Sequence, residues 1–370
     1  MARLGDICSI NMGQSPDSST YNEERIGLPF FQGNADFGTL HPSVRIWCST
    51  PVKIAKQNDI LISVRAPIGA LNIADMECCI GRGLAALTVN PAICEQKYVW
   101  YGLESKVEEL ISKGTGSTFK AISKSILLDT ELPIPCLTEQ VHIAAVLDKV
   151  SELIDLRKQQ LAKLDELVKA RFVEMFGDPV HPACSKLLGE AAILERGRFS
   201  LRPRNDPRYY GGEYPFIQTG DIANCGHRLS EYRQTLNEKG IHVSKKFDAG
   251  TIAIAIVGAT IGATAILEID VYAPDSVIGI SVDKKQYNNV FMEVLLRFWQ
   301  PELQRIAPES ARANINLAIL QGLPIIDVEL RKQVQFATFV EQTDKSKLTI
   351  QQGLDKLEIL KKSLMQEYFG

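Results

Sequence analysis

The chain states one pattern twice. Leu4-Gly5-Asp6 returns as Leu188-Gly189-Glu190, and Pro29-Phe30-Phe31-Gln32 returns as Pro215-Phe216-Ile217-Gln218. ILISVRAPIGA, from Ile60 to Ala70, aligns with AIAIVGATIGA, from Ala253 to Ala263. Leu132-Pro133-Ile134-Pro135 answers to Leu323-Pro324-Ile325-Ile326, and Met175-Phe176-Gly177 to Tyr368-Phe369-Gly370. A period this long is a tandem domain duplication, not a solenoid. The length of 370 residues suggests two to three domains.

Each copy has the same internal order: short β runs and turns, an LPIP-type break, then a helix. In the first helix Leu147, Val150, Ile154, Leu161, Leu164, Val168, Phe172 and Met175 recur at steps of three and four. The C-terminal helix repeats the stripe with Ile350, Leu354, Leu357, Leu364 and Tyr368. A stripe of this length needs a partner, and the other copy's stripe is the nearest one, which predicts an antiparallel coiled coil. Two ordinary core helices, each packed on its own domain, are the alternative. The expected boundaries are a globular domain over 1–138, a helix over 139–178, a second domain over 179–329 and a second helix over 330–370.

The segment Ala249–Leu267 holds 19 residues without a charge, enough to suggest a membrane helix. Its near-alternation, its Thr and Ile content, and Gly258 and Gly262 predict two strands and a turn instead. The eight cysteines form no CxxC pair and five histidines form no HxxxH, which points to reduced thiols, no metal site and a cytoplasmic chain.

Signatures of catalysis are missing. There is no phosphate loop of the G-x-x-x-x-G-K-[ST] type, no G-x-S-x-G elbow and no Pro-Pro step of an adenine-methylation motif. Polar and basic loops stand in equivalent places instead. The N-terminal copy offers Lys113, Ser117, Thr118 and Lys120 around Gly114 and Gly116, groups suited to phosphates and base edges. The C-terminal copy offers Arg312, Asn314 and Asn316 there; arginine suits guanine and asparagine suits adenine. It also carries Arg196, Arg198, Arg202, Arg204 and Arg208 with a single acid, Asp206, followed by Tyr209 and Tyr210. A solvated face is the alternative reading of that run. The turns after the PF-Q strands (Gln32, Gly33, Asn34; Gln218, Thr219, Gly220, Asp221) and Arg65, which stands where the other copy has Gly258, complete the candidates. A plain β-turn is the alternative for the turns.

The order Leu-Gly-Asp/Glu, YPFIQTGDI (Tyr214 to Ile222), GATIG, ANINLAIL, LPIP and a long helix ending in FG, given twice, resembles the specificity subunit of type I restriction–modification systems. The resemblance implies an α+β fold: two pseudo-symmetric target-recognition domains joined by two long helices in an antiparallel coiled coil. It implies double-stranded DNA as ligand, with one domain reading each half of a bipartite target. It also implies two methyltransferase subunits as partners, with restriction subunits in the full enzyme. The chain would be non-catalytic and carry no cofactor, S-adenosylmethionine being expected on the methyltransferase. A free-standing DNA-binding regulator and a non-DNA scaffold of duplicated β domains are the competing readings. One departure stands out. LPIPCLTEQ (Leu132 to Gln140) is answered by LPIIDVELRKQ, which lacks the Glu-Gln step, so equivalent docking of two methyltransferases is the weaker expectation.

Overall fold

The computed structural model describes residues 1–116, 120–182, 185–200, 206–307 and 314–370. Two units divide the chain, residues 1–158 with 352–370 and residues 159–351. Each unit holds one β domain together with part of each long helix.

The two β domains share one topology. In the N-terminal copy an antiparallel sheet runs in the order Cys8–Met12, Leu84–Val89, Ile60–Ser63, Leu71–Ile73. A second sheet runs Tyr21–Asn22, Ile46–Cys48, Leu28–Phe31, Cys78–Ile80, Ile54–Ala55, with Phe30 paired in parallel to Cys79. The C-terminal copy repeats the first sheet as Ala192–Arg196, Val277–Val282, Ile252–Ala255, Thr264–Leu267, adding Arg228–Leu229 at the edge. Its second sheet runs Gln234–Leu236, Tyr210–Phe216, Val271–Ala273, Lys245–Phe247, and Phe216 pairs in parallel with Tyr272.

The central strands explain the uncharged segments. All four residues of Ile60–Ser63 and of Ile252–Ala255 are buried. Successive side chains enter different cores, as a period of two requires. Ile60 and Ile62 pack in one cluster and Leu61 in another; Ile252 and Ile254 separate from Ala253 and Ala255 in the same way. A strand covered on both faces reads as continuously apolar, so the 19-residue stretch is two antiparallel strands, Ile252–Ala255 and Thr264–Leu267, as expected. Among the described residues no helix is long and apolar enough to cross a membrane. The turn between those strands needs glycine. Gly69 and Gly262 have φ of +90° and +79°, and each donates its amide to the preceding strand, at Ser63 and Ala255.

The long helices run Leu137–Phe176 and Leu330–Phe369, 40 residues each. Pro133 and Pro135 keep the chain extended before the first, and Gly177, at φ +80°, follows its last turn. In the first unit Leu147, Val150 and Ile154 are buried, and the cluster around Leu147 also includes Phe369, Leu364, Met365 and Tyr368. Lys158 Nζ lies 3.2 Å from Glu358 Oε1. In the second unit Phe172 meets Phe336 edge-on with ring centroids 5.3 Å apart, and Lys347 pairs with Asp165 at 2.5 Å. Within each unit, then, the two helices pack antiparallel along the expected stripe.

Both helices are latched to their domains by a buried glutamine. Gln140 Oε1 accepts from the Glu95 amide at 2.9 Å, while its Nε2 donates to the Ile93 and Pro135 carbonyls. Gln333 repeats this with the Asn288 amide at 2.9 Å and the Gln286 and Val328 carbonyls. The glutamine of the Glu-Gln step is therefore intramolecular and present in both copies. What differs at the surface is Glu139 against Lys332, both exposed.

Candidate nucleic-acid interface

Backbone hydrogen bonds gather the polar loops at one end of each β domain. In the N-terminal copy the Gly83 amide donates to Gln32 O at 3.2 Å, the Val64 amide to Gly83 O at 2.9 Å and the Ile122 amide to Val64 O at 2.9 Å. Arg65 bridges Ala121, which also bridges Thr115. The Gln32 turn, Arg65 and the end of the 113–120 loop thus lie side by side. In the C-terminal copy the Ile256 amide donates to Ser276 O and the Ile315 amide to Ile256 O, both at 3.0 Å, while Val257 bridges Asn314. Gln218 and Ser276 line one pocket, which brings the second turn to the same place.

An aspartate organises each turn, buried at Asp36 and half-buried at Asp221. Asp36 Oδ2 accepts from the Gln32 amide at 2.7 Å, and its other oxygen takes Nε of Arg45 at 3.1 Å together with Nη2. Asp221 Oδ2 accepts from the Gln218 amide at 2.8 Å, and Arg233 Nε stands 3.6 Å from its Oδ1. The carboxylates satisfy amides that the short helical turns leave open. Beside Gln32 lies a shallow pocket of about 230 Å³ with Phe30, Asn34, Arg45 and Ile46 in its wall. Beside Gln218 lies one of about 610 Å³ with Phe216, Tyr210, Arg233 and Gln234. The two pockets occupy equivalent positions.

The other expected contacts are placed as follows. Arg65 and Lys120 are exposed, and Lys120 Nζ reaches the Ile111 carbonyl at 3.5 Å. Lys113 is paired with Glu109 at 2.5 Å, and the Lys113 hydrogen bond holds the Glu109 carboxyl below its ordinary range. Asn314 is exposed at the loop end. Asn316 caps the helix Leu317–Gln321, accepting from the Ile319 amide at 3.0 Å, and Ser123 caps the equivalent helix Lys124–Leu128. Thr219 opens the turn after Gln218. The basic run is largely spoken for: Arg196 Nε donates to Asp275 O at 2.6 Å, Arg198 Nη2 to the His242 and Ser244 carbonyls, and Arg208 to Asp206. Ser117, Thr118, Arg202, Arg204 and Arg312 lie outside the described residues. Sequence reasoning named Asp221 within its turn but missed Asp36, Arg45 and Arg233.

The sequence matches the family model of the type I restriction modification DNA specificity domain over residues 1–166 and 195–359. A putative type I restriction enzyme MjaX specificity subunit of Methanocaldococcus jannaschii is 41% identical over 160 residues, covering 43% of this chain and 38% of that protein. The type I restriction enzyme MjaIX specificity subunit of the same organism is 30% identical over 226 residues, 52% of this chain and 51% of that protein. The matched stretches thus span about two fifths to one half of these relatives. The S subunit of a type I restriction–modification system from M. genitalium aligns over 100% of this chain and 95% of its own, with a TM-score of 0.56 at 18% identity. A structure described as the basis of complex assembly and conformational transition of the type I R-M system aligns over 99% and 96%, with a TM-score of 0.60 at 17% identity. Those likenesses are of fold. With both copies matched, and with the two β domains built alike, the chain belongs to the family of type I restriction modification DNA specificity domains.

Proposed function

We propose that this chain is the non-catalytic DNA-specificity subunit of a type I restriction–modification complex, reading a bipartite duplex target with one β domain per half-site. The observation that carries the reading is the repeated end of the domain. Two equivalent polar turns, each with an aspartate-held arginine and an exposed glutamine, sit beside two loops of different composition. One scaffold with two loop sets is what unequal half-sites require. In each unit the two long helices pair antiparallel beside the reader, and methyltransferase and restriction subunits supply the chemistry. S-adenosylmethionine then binds the methyltransferase, and the assembly acts in the cytoplasm.

The charge balance of 41 basic against 44 acidic residues supports a shared interface, because duplex affinity rests on phosphate neutralisation. Many basic side chains are also taken by neighbours, as Lys113 and Arg208 show. The chain alone should bind DNA weakly; with methyltransferase subunits it should bind one sequence tightly and with a steep salt dependence. Equal affinity for all sequences in the assembled complex, or methyl transfer by the isolated chain, would overturn the proposal.

A further inference from the structure

The turns at Gln32 and Gln218 hold the same three groups, in closer contact at the first: Arg45 hydrogen-bonds Asp36, whereas Arg233 Nε stands 3.6 Å from Asp221. A carboxylate, only 8% exposed at Asp36 and 10% at Asp221, is anchored on backbone amides. A guanidinium, 61% exposed at Arg45 and 77% at Arg233, projects from it. A glutamine amide stands in the same wall. Asp36 takes the Nε–Nη2 edge of Arg45, which leaves the Nη1–Nη2 fork at the far end of the planar group. That fork matches the O6 and N7 acceptors of guanine.

We propose that Arg45 and Arg233 are specificity-determining side chains, one per half-site, each gripping the major-groove edge of a guanine, with Asp36 and Asp221 as positioning residues. The proposal rests on the specificity-subunit reading and names where that reading is executed. Two observations favour a base over a phosphate. Phosphate calls for donors only, whereas the adjoining glutamine offers both a donor and an acceptor. The next residue also differs between the copies: Ile46 is apolar and 39% exposed, while Gln234 Oε1 accepts from Gln218 Nε2 at 2.6 Å. An apolar neighbour suits a thymine methyl beside the guanine, and an amide pair suits a polar base edge. One arginine with two neighbours would give two half-sites that share a guanine and differ at the adjoining base.

The test is methylome sequencing of a host expressing the full chain with its methyltransferase subunit, for the wild type and the Arg45→Ala, Arg45→Lys and Arg233→Ala variants. Arg45→Ala should erase a roughly tenfold to hundredfold preference for guanine at one position of one half-site and leave the other half-site intact. Arg233→Ala should do the reverse. Arg45→Lys keeps the charge beside Asp36 but not the planar fork, so it should relax the same position even if the alanine variant fails to fold. Unchanged motifs, or methylation reduced evenly over all sequences as loss of a phosphate contact would give, would overturn the assignment. A wild type that directs no sequence-specific methylation would overturn the specificity-subunit reading, and this assignment with it.

Discussion

The two copies build the same polar turn but join their domains to the long helices differently. In the C-terminal unit half-buried charges hold the second long helix, with a buried charged pair in the same domain. Glu293, fully buried, accepts from Thr264 Oγ1 at 2.9 Å and pairs with Arg297 at 3.1 Å. His227 Nε2 and Arg228 Nε meet Asp344 of the second long helix at 3.0 and 3.2 Å. The spacing that aligns Ile60–Ala70 with Ala253–Ala263 puts Trp100, Glu104 and Ser151 at the places of Glu293, Arg297 and Asp344 in the N-terminal unit. There the junction is an open groove of about 1320 Å³ walled by Leu40, Trp100 and Ser151. Surface pairs clasp it: Lys361 with Glu104 at 2.9 Å, and Lys97 with Asp148. Buried charges are costly to orphan, whereas exposed pairs contribute little. The second domain is therefore tied to its helix by partly buried charges at Asp344, and the first by exposed pairs beside an open groove.

That contrast is most easily broken at equivalent positions. Arg297→Ala strands Glu293 in the core and should cost about 3–5 kcal/mol, while Glu104→Ala should cost under about 1 kcal/mol. Calorimetric unfolding of the two variants checks the difference; equal losses would mean the junctions are equally rigid. The glycine turns should also respond unequally. A Cβ at Gly262 would meet the Gln300 backbone at 2.9 Å, whereas one at Gly69 would meet only the Val107 side chain at 2.8 Å. Both need a left-handed backbone, so each alanine should cost about 2 kcal/mol, with Gly262→Ala the worse.

A smaller effect concerns acid. Burial pushes the Asp344 carboxyl up, but hydrogen bonds and charge from His227 and Arg228 outweigh this and hold it below the ordinary range. A depressed folded pKa gives stability that is present above the unfolded value of about 3.9 and lost as pH falls through the folded value. Burial drives the Glu293 carboxyl the other way, upward, against the pull of Arg297. The comparison of wild type with Asp344→Asn isolates the first group. The variant should melt lower at pH 7, by about 1–2 kcal/mol of stability, and the gap should close below pH ~4. A gap that persists in strong acid would remove Asp344 from the account.

Much of this is legible in the sequence. The duplication set the domain count, and near-alternation around Gly258 and Gly262 read the apolar stretch as strands. The three-four stripe gave the helix pairing. Helix caps at Ser123 and Asn316 and the Glu109–Lys113 pair were also within reach, since both are local rules. What sequence alone hid is non-local. Asp36 and Arg45, or Asp221 and Arg233, lie far enough apart along the chain that nothing in their spacing marks them as partners. Gln333 was obscured because Lys332 replaces the glutamate of the Glu-Gln step, although the buried amide does the same work as Gln140. The His227–Asp344 contact joins residues more than a hundred positions apart, and no periodicity announces it.

On this reading one chain carries two readers, each packed against its part of the helix pair. It is tested most directly by the methylation motif of a chain lengthened by seven residues in both long helices, which keeps the apolar stripe aligned. Seven residues add roughly 10 Å, or about three base pairs. The wild type with its methyltransferase should mark two short specified stretches separated by an unread spacer. The lengthened chain should keep both stretches and widen the spacer by about three base pairs. A single contiguous motif, or an unchanged spacer in the lengthened chain, would contradict the account.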